Sequence, residues 1–343
     1  PTQTSSETNT TKETINIGLI SKVLEAPKSS DSSITIKIQK IKSPEVYSVE
    51  KTISRTEDDY GYTYYYRGGI EDNYINFAGM CWRIVRIAGD GSIKLILDNQ
   101  TTTCKEANGT VNNTIGKGNF GIDESTYSNK TILNYLSPKT DADKSMVNAF
   151  ETFQKNKLSK YLDNLKSGDW CYQDAVYNGN TLLTEDDKAN LYKKGTSFNY
   201  DVYNRLWNST PVKITNKCNG TILTKYSDNT DMYVATLTAD EVAYAGGHAV
   251  NKGTYSRPKG AGASLYKGKT YISYEGCLLS PANWSASIPG PFILYNNHSQ
   301  GFGTSPASSQ YGGNKNFVPS IQLKANTLIS KGTGTISDPY EIK

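Results

Sequence analysis

The chain has 343 residues, a net charge of +4 and 25 tyrosines, but only 2 histidines and 3 methionines. This length allows one large domain or two medium ones and is sufficient for a sizeable core. A weak charge of mixed sign argues against a nucleic-acid partner. No apolar run approaches the roughly 18 residues of a transmembrane segment. Abundant tyrosine together with small polar residues favours a β-rich surface protein.

The N-terminal region divides into a polar tail, residues 1–13, and a β-like segment, residues 14–54. Because the sequence begins at Pro1 without Met, we expect an upstream segment such as a signal peptide to have been removed. Two runs, residues 14–24 and 33–41, have the pattern of strands, and the second alternates cleanly. They form either a strand pair of the main domain or an arm that pairs with a neighbouring subunit. The candidate assembly residues are Ile15, Ile17, Leu19, Ile20, Ile34, Ile36 and Ile38.

The stretch from Asn73 to Leu97 has the strongest β pattern in the chain. It reads NYINFAGMCWRIVRIAGDGSIKLIL and predicts three short strands. The Asp90-Gly91 dipeptide between the second and third strands predicts a hairpin turn. Strict alternation assigns the side chains of the second strand to two faces, one with Trp82, Ile84 and Arg86 and the other with Arg83, Val85 and Ile87.

Three helices are predicted in the middle of the chain. Residues Asp143–Lys166 carry apolar side chains close to a 3.6-residue period. A second helix is predicted at Glu185–Lys194, with Thr184 as its N-cap. The third lies in TADEVAYAGG, where Thr238 and Glu241 are spaced as a capping box.

The five cysteines are widely and irregularly spaced, which favours disulfides over a zinc cluster. Cys171 and Cys218 bracket a polar segment, and a disulfide between them would stabilise the fold by roughly 4 kcal/mol through loop closure. Five is an odd number, so at least one cysteine is unpaired or pairs between chains. Cys81, Cys104 and Cys277 are therefore left unassigned.

Constellations typical of catalysis or metal binding are missing from the sequence, so we expect no enzyme activity, no catalytic residues and no cofactor. His248 and His298 have no metal-ligand spacing. The acids in residues 55–61 lack the spacing of an EF-hand and are interpreted as a solvated turn, with calcium as the weaker alternative. A lectin-like calcium site at Asn296, Asn297 and Asn314 is weaker still.

Gly, Ser, Pro and Asn dominate from residue 250 onward and predict short strands and long loops. Aromatic residues on such loops are suited to stacking on sugars or to forming a protein interface. The candidate binding-loop aromatics are Tyr295, Phe302, Tyr311 and Phe317. Core packing is the default interpretation for any one of them.

Several motifs in order resemble a surface-protein domain of unknown function that is widespread in Gram-positive bacteria. They are YYYRGG followed by the 73–97 stretch, DWC at 169–171 with Cys218 downstream, LTADEVAYAGG at 237–247, LLSPANW at 278–284, and VPSIQLKAN…GTGTISDPYEI within 318–342. Together they span residues 55–343. The structural signature implied by the resemblance is Trp82, Arg83, Arg86 and Trp284.

The resemblance implies a C-type-lectin-like fold, similar in style to the domain of the formylglycine-generating enzyme, and a secreted or wall-exposed protein. It implies that Trp82 and Ile84 face inward and that Arg83 or Arg86 makes a framework hydrogen bond or ion pair. The chain departs from the family at Phe317-Val318-Pro319, where an Arg-Pro is usual, and at Cys81 and Cys277. The copper-binding cysteine pair of the formylglycine-generating oxidase has no counterpart, so that activity is not carried over.

We therefore expect an α+β, C-type-lectin-like fold with loop-rich mixed sheets, a few helices in the middle and an N-terminal strand arm. One globular domain covers residues 55–343, with a helical part at about 125–247 and a loop-rich β part at about 248–343. The expected function is non-enzymatic and extracellular. The chain is either a subunit of a pilus-like filament, assembled by strand addition, or a monomeric adhesin that binds a glycan or protein through residues 250–316. A secreted enzyme is a distant alternative.

Overall fold

A computed structural model describes most of the chain after residue 51. The described residues are 52–67, 70, 72–104, 112–118, 146–208, 213–226, 228–245, 276–285, 290–297, 301–306, 315–325 and 327–342. The tail at 1–13 and the predicted strands at 14–24 and 33–41 lie outside them.

Nineteen strands and four α-helical segments make up this part of the protein. The strands are β1 Thr52–Asp58, β2 Gly61–Arg67, β3 Tyr74–Phe77, β4 Met80–Ile87, β5 Ile93–Asn99, β6 Gly116–Gly118, β7 Trp170–Tyr172, β8 Tyr177–Asn178, β9 Thr181–Leu182, β10 Phe198–Asn199, β11 Thr221–Leu223, β12 Val234–Ala235, β13 Gly276–Ser285, β14 Gly290–Asn297, β15 Gly301–Pro306, β16 Lys315–Phe317, β17 Ser320–Leu323, β18 Ile329–Lys331 and β19 Tyr340–Ile342. The helices are α1 Met146–Phe153, α2 Glu185–Lys193, α3 Asp201–Tyr203 and α4 Ala239–Tyr244.

A nine-stranded sheet organises the fold, in the order β12-β17-β5-β4-β3-β19-β18, with β2 also paired to β4 and β1 to β2. One edge of β4 is shared, because β3 pairs with its first half and β2 with its last residues. Every pairing in the sheet is antiparallel except that of β19 with β3. The protein is thus sheet-rich with few helices, which agrees with the coarse α+β class.

One face of the central strand β4 is apolar. Trp82 and Ile84 are fully buried, and the Trp82 ring lies 6.3 Å from that of Phe153 on α1. The Trp82 indole N–H donates to the Phe77 carbonyl at 3.1 Å, so the buried ring has its polar atom satisfied. The β4–β5 hairpin turns at the predicted Asp-Gly dipeptide, where Gly91 has a φ of +84°.

The predicted helix at 143–166 is shorter and less regular than its period suggests. After α1 the chain forms a π-helical segment, Gln154–Leu158, and then a 3₁₀ segment, Ser159–Asn164. Phe153 and Leu158 are five residues apart and both buried. The wider π turn keeps both on the core side, which an α-helix would not. Buried Gln154 fixes this turn by bonding the Asp231 carbonyl and the Tyr233 N–H, both at 2.9 Å.

The two later parts of the chain both contain strands. The region predicted as helical includes the six short strands β7 to β12. In the part predicted as loop-rich β, β13, β14 and β15 join β10 in a four-stranded antiparallel sheet. Bulges at Pro281 interrupt the β13–β14 register, which explains why this ten-residue strand has no clean alternation in sequence.

Candidate functional site

A β-bulge in β4 decides where its two arginines lie. Ile84 pairs with Leu95, but Arg86 pairs with Lys94, so the register shifts at Val85. The bulge moves Arg86 to the face that carries Lys94, and the predicted grouping of Arg86 with Trp82 and Ile84 is wrong. Two positive side chains directly opposite each other on a sheet repel, so this pair needs a compensating anion.

Glu241 supplies that anion from helix α4. Its Oε1 accepts hydrogen bonds from Arg86 Nε at 3.0 Å and from Lys94 Nζ at 2.7 Å. Its Oε2 accepts from the Thr238 N–H at 3.0 Å, while Thr238 Oγ1 accepts from the Glu241 N–H. The predicted capping box is therefore formed, and the same carboxylate bonds both cations on the sheet. Asp58 supplies a second negative charge to Arg86.

Asp240, the neighbour of Glu241, binds a second set of elements. Its carboxylate makes a bidentate ion pair with Arg205, at 2.9 and 2.8 Å, and accepts the Thr215 N–H at 2.9 Å. The buried Gln173 side-chain amide also donates to it. We call Asp240 and Glu241 the acidic pair. It joins the sheet, the helical segment Asn204–Asn208 that follows α3, and Thr215 to one helix.

The chemistry of the acidic pair is that of a framework. Burial alone would raise the pKa of Glu241, but the charges of Lys94 and Arg86 and their hydrogen bonds lower it to about 2. Burial lowers the pKa of Lys94, with Glu241 opposing that shift. A general acid needs a pKa near the working pH, so Glu241 is a fixed anion at neutral pH. Its oxygens are already occupied by protein donors.

The acids at 55–61 are held by the protein, and the predicted solvated turn is wrong at its centre. Asp58 is buried and ion-paired with Arg86 at 2.9 Å. Its carboxylate also accepts the backbone N–H groups of Tyr60 and Gly89, each at 2.9 Å. The Asp58 carboxylate is therefore already bonded to a guanidinium and two backbone N–H groups, and it does not fit the role of a calcium ligand.

Gly89, which follows β4, lies against the turn of the β1–β2 hairpin. A Cβ there would lie 2.6 Å from Asp58 Oδ1 and 2.6 Å from the Gly61 nitrogen. We expect Gly89→Ala to lower the free energy of unfolding by about 2 kcal/mol, as overpacking does. Urea denaturation measures this. Gly79→Ala tests backbone strain without overpacking, because an added Cβ meets no atom within 4 Å there but the φ of Gly79 is +74°. Equal stability of Gly89→Ala and the wild type would contradict the close approach.

The tip of the β1–β2 hairpin presents two tyrosines on either side of Gly61. Tyr60 is 54% exposed and Tyr62 is 55% exposed. The Tyr60 hydroxyl donates to Asp169 Oδ1 at 2.5 Å, and Lys166 Nζ lies 5.0 Å from its ring centroid. This hydrogen bond, followed by burial, raises the pKa of Tyr60, so the phenol remains a donor.

Asp169 is positioned for this contact by its backbone. It follows Gly168, and both residues have positive φ, +61° for Asp169 and +72° for Gly168. Asp tolerates this left-handed conformation better than most residues. Asp169 also pairs with Lys166, which bonds Asp90 at 2.6 Å. The ring of Tyr60 is thereby fixed although half of it is exposed.

Four of the five cysteines form two disulfides. Cys171 pairs with Cys218, as expected, with Cα atoms 5.7 Å apart. Cys81 pairs with Cys104 across 23 residues. Asp98 lies close to this second pair, and the group is no metal site while the two sulfurs are bonded to each other. Cys277 lies on β13, and its side chain is outside the described part.

The structure separates the residues that the sequence grouped as sites. Arg83 is buried and bonds Asn73, Tyr74 and the Ile70 carbonyl, which is a framework role. Phe317 is 1% exposed and packs near Phe150, so it is not a binding-loop aromatic. Three other candidates lie on strands: Trp284 on β13, Tyr295 on β14 and Phe302 on β15. The candidates outside the described residues are Tyr311, His248, His298, Asn314 and the seven assembly residues. Asn296 and Asn297 also lie on β14.

Sequence reasoning missed Lys94, Asp240 and Tyr60, and it did not foresee the buried ion pair of Asp58. Lys94 gave one signal, since it is the single charge inside the apolar run SIKLIL.

Among the residues that the structure describes, no helix has both the length and the apolarity to cross a membrane. Comparison with protein-family models, curated proteins and solved structures found no match for this chain.

Proposed function

We propose that this chain is a non-enzymatic extracellular or cell-surface protein that acts by assembly or adhesion. Two disulfides support this location, because such bonds persist in oxidising compartments. The proposal includes the C-type-lectin-like fold that the sequence motifs imply, in which a rigid sheet carries variable recognition segments.

The first candidate function is that of a subunit in a pilus-like filament. The observation that carries it is the position of β1, which pairs with β2 on one side only. Within the described residues, its other side has a single bridge, Asp58 to Asn216, and Thr52–Glu57 have no partner strand there. The chain enters this edge from the proposed arm at 14–54, whose last residues, 52–54, already belong to β1. An edge with no partner strand among the described residues, next to a strand-like arm, is suited to strand addition between subunits.

We expect deletion of residues 1–42 to abolish filaments while leaving a folded domain. Negative-stain electron microscopy and mass in solution measure the first effect, and a cooperative unfolding transition measures the second. An unfolded truncated chain would place those strands in the domain's own sheet. A full chain that stays monomeric at all concentrations would contradict the filament function.

The alternation in residues 33–41 provides a matched pair of full-length variants. Alanine at Ile34, Ile36 and Ile38 removes the apolar face that strand addition would bury. Alanine at Thr35, Lys37 and Gln39 changes the opposite face and keeps the apolar one. Filaments are expected to be lost in the first variant and retained in the second. Loss of filaments in both variants, or in neither, would contradict a contact made through the apolar face of this strand.

The second candidate function is adhesion by binding a surface glycan or protein. The observation that favours it is the pair of half-exposed tyrosines at the β1–β2 tip. The 250–316 segment remains the alternative binding site, and β13, β14 and β15 lie within it.

A further inference from the structure

We infer that the β1–β2 hairpin tip is a sugar-binding platform formed by Tyr60, Gly61 and Tyr62, which we call the tyrosine platform. This inference rests on the second candidate function, adhesion, and names the site and ligand class for it. The ligand is a pyranose of an oligosaccharide, whose C–H face stacks on an aromatic ring and whose hydroxyl groups bond the surrounding polar side chains.

The Tyr60 side chain is exposed and held in one position. Its hydroxyl donates to Asp169, and its backbone N–H donates to buried Asp58. Asp58 is in turn fixed by Arg86 and by the Gly89 N–H. A ring ordered before binding loses little conformational entropy when a ligand stacks on it, which favours affinity.

The hairpin is also fixed from its other side. Asp59 accepts the Cys218 N–H at 2.8 Å, and Cys218 is joined to Cys171 by a disulfide. Asp59 therefore connects the turn to a covalently closed segment. Neither the sheet nor the 213–220 segment has to move for the two rings to be presented.

Gly61 sets the backbone between the two tyrosines. Its φ of +134° is a conformation that L side chains rarely adopt, so the tight turn depends on glycine at this position. The turn thus places Tyr60 and Tyr62 on either side of a residue that has no side chain.

The polar surroundings favour a sugar over a protein partner. Tyr62 lies opposite Glu57 in the hairpin, and Glu57 pairs with Lys217 at 3.4 Å. Asp169 and Lys166 border Tyr60. Two rings bordered by charged groups offer far less apolar area than the roughly 800 Å² per partner of a stable protein interface. They match a small ligand with one apolar face and many hydroxyl groups.

Binding of the full-length chain to an array of tetrasaccharides built from glucose, N-acetylglucosamine, mannose or galactose tests the platform. Wells coated with gelatin or fibrinogen provide the protein arm of the same experiment. We expect the wild type to bind at least one tetrasaccharide. Tyr60→Ala and Tyr62→Ala should each weaken that binding about tenfold, the effect of losing one good aromatic contact.

Two further variants distinguish the loss of ring stacking on the sugar from nonspecific effects of a tyrosine substitution. Tyr177→Ala removes a tyrosine that is 43% exposed on the β8–β9 hairpin, and its affinity should stay within about twofold of the wild type, as for contacts outside a binding site. Tyr60→Phe keeps the ring but loses the hydrogen bond to Asp169, so its affinity should fall less than that of Tyr60→Ala. Thermal unfolding of each variant checks that it is folded.

The outcomes separate the platform from the adhesive function. If the wild type binds sugars but both alanine variants bind equally well, the platform is wrong and adhesion stands. If only the protein-coated wells capture the wild type, the sugar inference is overturned and a protein adhesin remains. If neither surface captures it, the platform and the adhesion function both fail.

Discussion

Replacing Glu241 with Gln is expected to lower the free energy of unfolding by about 4 kcal/mol, because removing one partner of a buried ion pair leaves uncompensated charge. Glu241 and Lys94 are both 4% exposed, and Arg86 is 13% exposed. The substitution leaves these two cations opposite each other in the sheet without their shared anion. Chemical denaturation at neutral pH measures the loss.

The matched control is Glu341→Gln. Glu341 pairs with Lys331 at 3.3 Å, but the two side chains are 43% and 69% exposed. Exposed ion pairs contribute about 0.2–1 kcal/mol, so this variant should differ little from the wild type. Similar losses in both variants would show that burial of the Glu241 network has no special effect.

The pH dependence of the free energy of unfolding gives a second test of Glu241. The pKa of Glu241 lies at about 2 in the folded protein against an ordinary value of 4.5. A depressed carboxyl pKa stabilises the fold fully above the unfolded value, and the stabilisation is lost as pH falls through the folded value. About 3 kcal/mol should therefore disappear between about pH 5 and pH 2 in the wild type. The Glu241→Gln variant should lack this component, and parallel curves would contradict the assigned network.

The double variant Cys171→Ser, Cys218→Ser is expected to lose about 4 kcal/mol of stability. The disulfide closes a loop with a sequence separation of 47, and releasing it restores that much loop entropy to the unfolded chain. Its loss should also loosen the contact between Cys218 and Asp59 at the hairpin tip. Urea denaturation of the oxidised wild type and the double variant measures the difference.

Non-reducing peptide mapping is the check on this second prediction. It should recover Cys171 linked to Cys218 and Cys81 linked to Cys104. The Cys81→Ser, Cys104→Ser variant is the comparison, since its loop has a separation of 23 and closing it contributes about 3.5 kcal/mol on the same entropy scale. Free thiols at both Cys171 and Cys218 would refute the pairing.

Local rules were sufficient wherever the chain interacts with its near neighbours in sequence. The Asp-Gly hairpin, the Thr238 capping box and the helix at Glu185–Lys193 all depend on residues within a few positions of each other. Thr184 caps that helix as predicted, accepting the Asp187 N–H at 3.2 Å. Such signals are readable because capping and turn chemistry are short-range.

The candidate site depends on distant residues, and sequence reasoning could not assemble it. Arg86 and Glu241 are 155 positions apart, and the bulge that aims Arg86 leaves no mark in an alternating run. Phe317 resembled a surface aromatic because polar residues precede it, but its strand pairs with β6 and packs inward. Tyr60 appeared to be one tyrosine among many until its hydroxyl was placed against Asp169.

The pairing of β17 with β5 has a consequence for the time course of synthesis. Ser320 Oγ donates to the Leu95 carbonyl across 225 residues, and β17 fills the position between β5 and β12. At about 5–20 residues per second, β5 waits on the order of 10–45 s on the ribosome for this partner. During that interval an apolar strand edge is exposed to other chains. Long-range pairing of this kind also slows folding, so the β5 edge is the place where association with other chains is expected until residues 320–323 emerge.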